Sequence, residues 1–285
     1  MLQYFTEMKM KLLIKFGINK LFFLLIFILS WGCWIPAGFL SAEKYGVLIN
    51  ILHYAGGLMP TLVTLLFLFI FNSAQERQDY WNRLIDFRRI KANWTFVIFL
   101  TVPVLMTIAS RIDILLGGNG GNLDYLSTMM GTPIALLLFA IFTLLFGPLP
   151  EEMAWRGYAL KNLLLKNNAL TASLMIGIVW TLWHLPLFGI PGTYQQGLGF
   201  GTQQFWLYML DKIPQSIFMT WIFVNNRRST ISAILFHFMI NFMGELIDLS
   251  LRAETVYIIA WWVGALIVLM VFKPKTLTRN FKISG

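Results

Sequence analysis

The sequence predicts an all-α fold, a polytopic membrane bundle of about eight transmembrane helices with the N-terminus and C-terminus both cytosolic. Three observations carry that prediction. Of 285 residues, 58% are hydrophobic and only 12% are charged, where a soluble domain carries about a quarter charged residues. The mean hydropathy is +0.69. Apolar runs long enough to cross a bilayer, at roughly 20 residues each, recur along the whole chain. Soluble enzymes, coiled coils, disordered chains and secreted disulfide scaffolds are excluded together.

Taken in order, the apolar stretches fall at 17–40, 51–72, 93–110, 132–150, 170–190, 205–224, 230–247 and 255–272. Lys9, Lys11, Lys15 and Lys20 precede the first, as in a signal peptide. Its apolar part is too long for one and no clean A-x-A site follows, so it reads as a retained anchor. Cys33 lies within that run and reads as a small buried apolar residue. His53, near the start of the second stretch, is expected in an interfacial role. Pro133 stands where a first-turn proline opens the fourth helix, and the glycine-rich run 117–121 reads as a flexible loop. No internal repeat and no second domain is visible, so residues 1–285 form a single membrane domain.

The formal charge of +9 takes a membrane reading before a nucleic-acid one, because Lys and Arg in excess mark cytosolic loops. No basic cluster is long enough for a nucleic-acid surface. With the N-terminus inside, 18 of the 22 Lys and Arg fall on the cytosolic side, Arg156, Lys161 and Lys282 among them. Lys44, Arg111, Lys212 and Arg252 fall on the other. Arg88-Arg89-Ile90-Lys91 reads as a juxtamembrane anchor, and Trp261-Trp262 as part of the interfacial aromatic belt.

Ionisable residues inside a bundle are expensive, so each is a functional hypothesis. Two of the three histidines, His184 and His237, lie in apolar helices. The third element is Pro150-Glu151-Glu152-Met153-Ala154-Trp155-Arg156, with two of the chain's seven glutamates side by side. On a helix Glu152 and Arg156 are i, i+4 and can pair. Glu151 is turned away by ~100° and is left free of that contact.

Pro148 and Pro150 suggest a kink rather than an end, because Met153, Leu160, Leu163 and Leu164 continue an apolar stripe to the turn at Asn167-Asn168. Glu151 precedes Asn168 by 17 residues and His184 follows it by 16. In an antiparallel hairpin both then sit ~25 Å from the turn and face each other. His237 lies ~14 Å into its own helix, with Asn241 one turn further on the same face.

A carboxylate in low-polarity surroundings is a competent general base for water, and an imidazole within reach can share the proton. His and Asn donors aimed at a carbonyl oxygen would stabilise a tetrahedral oxyanion. In a pocket walled by Trp155, Trp180 and Trp183, these parts suffice for peptide hydrolysis without a covalent intermediate. No G-x-S-x-G elbow occurs. Two His and one Glu also form a hydrolytic zinc set, but H-E-x-x-H is absent, and the metal-free version is favoured.

Glu151-Glu152-x-x-x-Arg156, then Trp180-x-x-x-His184, then His237-x-x-x-Asn241 resembles the three-motif signature of the CPBP family. These are the CAAX proteases and bacteriocin-processing proteins, also called Abi, which include the type II CAAX prenyl endopeptidases. The resemblance covers about 132–247. It implies an intramembrane glutamate-dependent protease that needs no metal or other cofactor. Glu151 would activate water with help from His184, His237 and Asn241 would bind the oxyanion, and Glu152 and Arg156 would support them. The second motif is often written with Phe; Trp180 in its place is expected to narrow the pocket more than to alter the chemistry. The implied partners are the lipid bilayer and a peptide substrate, prenylated or a leader or pheromone peptide. The competing readings are a protein of the same fold without protease activity, in an immunity or interaction role, and a proton-coupled small transporter.

Overall fold

The computed structural model describes residues 17–279, so the basic residues Lys9, Lys11, Lys15 and Lys282 lie outside the described residues. The fold is all-helical, and no strand occurs among the described residues. In chain order the helices are α1 (Ile18–Gly38), α2 (Ala42–Phe71), α3 (Ala74–Ile85), α4 (Ala92–Leu115), α5 (Asp124–Met130), α6 (Pro133–Phe146) and α7 (Pro148–Glu152). A π-helical segment, Met153–Leu160, carries the chain into the single turn α8 (Lys161–Leu163). There follow α9 (Ala169–Trp183), α10 (Tyr194–Leu198), α11 (Gln203–Asn225), α12 (Thr230–Leu246) and α13 (Leu251–Phe272).

Among the described residues six segments are long and apolar enough to cross a membrane: α1, α2, α4, the run Pro133–Leu163, the run Ala169–Gly189, and α13. They fit an integral, multi-pass membrane protein. The other two expected stretches are helical but different in kind. α11 carries Asp211, Lys212 and Gln215 in its middle, and α12 has only 17 residues. Two basic residues leave the loop count. Arg156 is fully buried, and Lys212, expected outside, sits buried halfway along α11.

Lipid tails are as apolar as leucine, so helices in a membrane associate through packing and interhelical hydrogen bonds, each worth about 1 kcal/mol. Ser30 Oγ donates to Gly56 O at 2.8 Å and Trp34 Nε1 to His53 O at 2.8 Å, closing the α1–α2 hairpin. Thr61 Oγ1 donates to Pro150 O at 2.9 Å, and Thr181 Oγ1 to Met209 O at 3.2 Å. The core is rich in indoles, with Trp34, Trp155, Trp180, Trp183 and Trp261 all almost completely buried. Trp261 therefore does not belong to an interfacial belt; it packs edge-on against Phe218 and Phe236.

Two loops also differ from expectation. The glycine-rich run is pinned rather than loose: buried Asp113 accepts from Gly120 N, Ser250 Oγ and Arg252 Nε. Gly117, Gly120 and Gly121 adopt positive φ, which lets the backbone wrap that carboxylate. The segment between α2 and α4 holds the amphipathic helix α3, announced by a capping box in which Ser73 and Glu76 bond reciprocally.

Candidate active site

The kink expected near Pro148 falls at Gly147, whose φ of −134° and ψ of −88° separate α6 from α7. Directly after it the helix widens to π geometry through Met153–Leu160, a distortion common at functional sites. Helix α3 props the widened stretch. Tyr80 Oη donates to Met153 O at 3.1 Å, and Arg83 Nη2 donates to Gly157 O at 2.9 Å.

Glu152 and Arg156 pair as their spacing predicts, with Arg156 Nη1 at 2.8 Å from Glu152 Oε1 and neither side chain exposed. Arg156 Nη2 also donates to Ser216 Oγ at 3.0 Å, and Ser216 Oγ donates to Ser173 O at 2.8 Å. The pair is thus tied to α9 and α11. His237 Nδ1 lies 2.9 Å from the same Oε1 of Glu152. A carboxylate facing a guanidinium is an acceptor, so His237 donates from Nδ1.

Glu151 projects elsewhere. Its Oε2 accepts from Trp180 Nε1 at 2.5 Å. The expectation that a larger aromatic at 180 merely narrows the pocket is therefore incomplete, since indole brings a donor that Phe lacks. Across the hairpin Glu151 thus meets Trp180, one turn before His184, and both Glu151 and His184 line the same cavity.

His184 caps the C-terminal end of α9. Its amide reaches Thr181 O at 3.3 Å in a tightened last turn, and Trp180 O meets His184 Nδ1 at 2.7 Å. A carbonyl can only accept, so Nδ1 carries a proton and Nε2 is left for chemistry.

Glu151, His184, His237 and Asn241 all line one cavity of about 780 Å³. Of the three expected tryptophan walls, Trp180 and Trp183 are present. Trp155 is instead buried behind them, edge-on to Trp183, and Trp34 takes its place at the wall. His53, expected at an interface, also lines the cavity. The sequence reading missed Gly147, whose open face abuts Asn241, and the pair Asp211 and Lys212 on the cavity wall. A signal for the last two was present, as adjacent charges within an otherwise apolar stretch. Among the described residues no three His, Cys, Asp or Glu side chains are grouped closely enough to hold one metal ion.

Residues 133–243 match the family model described as type II CAAX prenyl endopeptidase Rce1-like. The chain is also 29% identical over 241 residues to a CAAX prenyl protease 2 from Methanococcus maripaludis, an alignment covering 81% of this chain and 85% of that protein. The matched region runs from the first turn of α6 to the last turn of α12 and contains all three motifs. Residues 133–243 thus resemble the Rce1-like endopeptidases, and the chain is similar to a CAAX prenyl protease over most of its length.

Proposed function

We propose that this protein is a membrane-embedded glutamic endopeptidase that hydrolyses a peptide bond in a membrane-associated or lipidated peptide. The observation that carries the reading is the single cavity on which Glu151, His184, His237 and Asn241 converge. The similarity to a CAAX prenyl protease supports the reaction class. Eight crossings with both termini in the cytosol belong to the same reading, and in a prokaryote the membrane would be the cell membrane. α12, at 17 residues, is ~25 Å long and nearly spans the hydrocarbon core.

In this mechanism water sits between Glu151 and His184. Glu151 takes a proton as the water oxygen attacks the peptide carbonyl, and His184 Nε2 accepts the second O–H. Trp180 holds Oε2, so Oε1 faces the water. The carbonyl π electrons move to oxygen, and the resulting oxyanion lies against Asn241 Nδ2 and His237 Nε2. Because His237 Nδ1 donates to Glu152, the ring can donate from Nε2 only when it holds both protons, with Glu152 as its counter-ion. Collapse of the tetrahedral intermediate breaks the C–N bond, and the proton held by Glu151 passes to the leaving amine. The products are a new carboxyl terminus and a free amine. Fixed donors aimed at the oxyanion are worth several kcal/mol in such a site.

The test is cleavage by the purified full chain of a farnesylated C-a-a-X peptide and of leader or pheromone peptides, with and without chelator. Cleavage that is lost in Glu151→Ala and indifferent to chelator supports the mechanism. Loss on chelation with recovery on adding zinc would replace it with a metal mechanism. No cleavage of any peptide would leave the fold in an immunity or interaction role. Proton-coupled uptake by vesicles carrying the chain would make it a transporter.

A further inference from the structure

The cavity occupies one end of the bundle. On α12 its lining begins at His237 and runs to the C-terminal end of the helix. On α11 it ends at Gln215, and on α2 it ends at Gly57, so the far halves of both helices take no part. The loops at the open end are tied to one another, with Asn122 N donating to Asp248 O at 2.6 Å and Gln203 Nε2 to Thr255 Oγ1 at 3.2 Å. The other end is closed. Beyond Glu151 the chain packs Glu152, Trp155, Arg156 and Leu160 with no exposure at all, and α3 is bonded to the same stretch through Tyr80 and Arg83. The loops there are tied separately. Arg89 Nη1 donates to Arg227 O at 2.8 Å, Lys91 N to Asn226 Oδ1 at 3.1 Å and Ala169 N to Lys275 O at 3.0 Å.

The two ends also differ in charge. Exposed Arg88, Lys91, Arg227, Arg228, Lys273 and Lys275 stand at the closed end, against Lys44, Arg111 and Arg252 at the open one. Arg252 is moreover paired with Asp113. Glu43, Asp124, Glu245 and Asp248 are exposed around the opening. Loops rich in Lys and Arg stay in the cytosol, and acids count for little in that rule, so the basic residues assign the closed end to the cytosolic side.

We propose that the catalytic cavity opens on the extracytosolic face and takes peptides that have already crossed the membrane. The inference rests on the protease reading, with both termini in the cytosol, and narrows its substrate class. A lipidated peptide held in the cytosolic leaflet meets the closed, basic end. To reach Glu151 from there it would have to displace the buried Arg156 and the helix α3 bonded beside it. An exported leader or pheromone peptide meets the opening instead. Asn241 stands ~8 Å by helical rise from Leu246, the last residue of α12, so such a peptide enters by about a third of that helix. Charges are costly within hydrocarbon, which keeps a charged peptide on the side where it was delivered.

The experiment starts from full-length Cys33→Ala, which removes the chain's single cysteine. Lys44→Cys and Gly244→Cys then mark the open end and Arg88→Cys the closed one, all at exposed positions. Gly244 lines the cavity, and a β-carbon there meets nothing within 4 Å. A membrane-impermeant maleimide is added to intact cells and to inverted membrane vesicles. Lys44→Cys and Gly244→Cys should be labelled in cells, and Arg88→Cys only in inverted vesicles. The reverse pattern would overturn the proposal, as would a Gly244→Cys that stays unlabelled in cells where Lys44→Cys reacts. Cleavage of charged leader and pheromone peptides and of a farnesylated C-a-a-X peptide is then compared in sealed vesicles carrying the wild-type chain. Right-side-out vesicles should cut, and inverted ones should not until detergent opens them. Cutting by sealed inverted vesicles as fast as in detergent would overturn the proposal while leaving the protease reading standing. No cleavage even in detergent, or cleavage that persists in Glu151→Ala, removes the protease reading instead, and the labelling then still decides on which side the cavity opens.

Discussion

Trp180 donates its indole N–H to Glu151 at 2.5 Å, while its main-chain oxygen meets His184 Nδ1 at 2.7 Å. One residue therefore orients both proposed partners of the attacking water. Its ring also stands edge-on to His237, with centroids 5.0 Å apart, and lies under the Arg156 guanidinium at 5.5 Å.

Replacing Trp180 with Phe keeps an aromatic ring but removes the donor. We expect kcat to fall roughly ten- to a hundredfold, the worth of a hydrogen bond to a charged group, with KM little changed. Benzothienylalanine at 180, which has the shape of indole without the N–H, should reproduce the loss. Steady-state kinetics of both variants check this, and full turnover in either would reduce Trp180 to a packing residue.

Glu151 and Glu152 are adjacent, but they should fail differently when neutralised. Glu152 serves both Arg156 and His237 through one oxygen, and Arg156 is completely buried. Removing one partner of a buried pair costs about 3–5 kcal/mol, so Glu152→Gln should lower the thermal unfolding temperature in detergent and abolish turnover. Glu151 is tied to its surroundings by a neutral indole, so Glu151→Gln should abolish turnover and leave the unfolding temperature near that of the wild type. Equal destabilisation by the two would contradict the division of labour.

Most of the fold was legible because a bilayer imposes a simple code, in which apolar runs of sufficient length become helices. The three motifs were legible for the converse reason, since polar residues within such runs must pair or line water. What escaped was geometry that no residue type announces. The π widening of Met153–Leu160 cannot be read from an apolar stripe. Helix α3 was hidden in a polar loop, although Ser73 and Glu76 carry the spacing of a capping box. Charge counting supposes that every lysine seeks water and so places Lys212 in a loop, whereas it is buried in α11. Trp261 reads as a belt residue because the sequence does not show that Phe218 and Phe236 enclose it.

Helix α3 should respond to acid. The amide of Ser73 holds the Glu76 carboxylate below its ordinary value of 4.5, with a smaller opposing effect from burial. A carboxyl group whose folded value is depressed stabilises the structure fully above its unfolded value, and that contribution is lost as pH falls through the folded one. Protection of the first-turn amides of α3 should hold from neutrality to about pH 5 and decline below 4.5. In Glu76→Gln this acid step should vanish. Hydrogen exchange, corrected for the intrinsic pH dependence of the rate, measures both, and an unchanged step in the variant would assign it to another group.

Gly147 offers the sharpest test of Asn241. A β-carbon at 147 would stand 2.9 Å from Asn241 Nδ2 and 3.4 Å from Thr143 O. The first contact is too close and the second is ordinary, so the side chain of Asn241 must move. The φ of −134° lies outside the left-handed region, so the substitution needs no left-handed backbone. Gly147→Ala should therefore leave the fold intact and disturb Asn241, the proposed oxyanion donor. Removal of such a donor typically costs about a hundredfold or more in turnover. We expect kcat to fall by at least tenfold, because displacement is milder than deletion, while KM and the unfolding temperature change little. In Asn241→Ala the donor is already absent, so adding Gly147→Ala should cost little more. Independent, multiplying losses in the double variant would show that Gly147 acts on something other than Asn241.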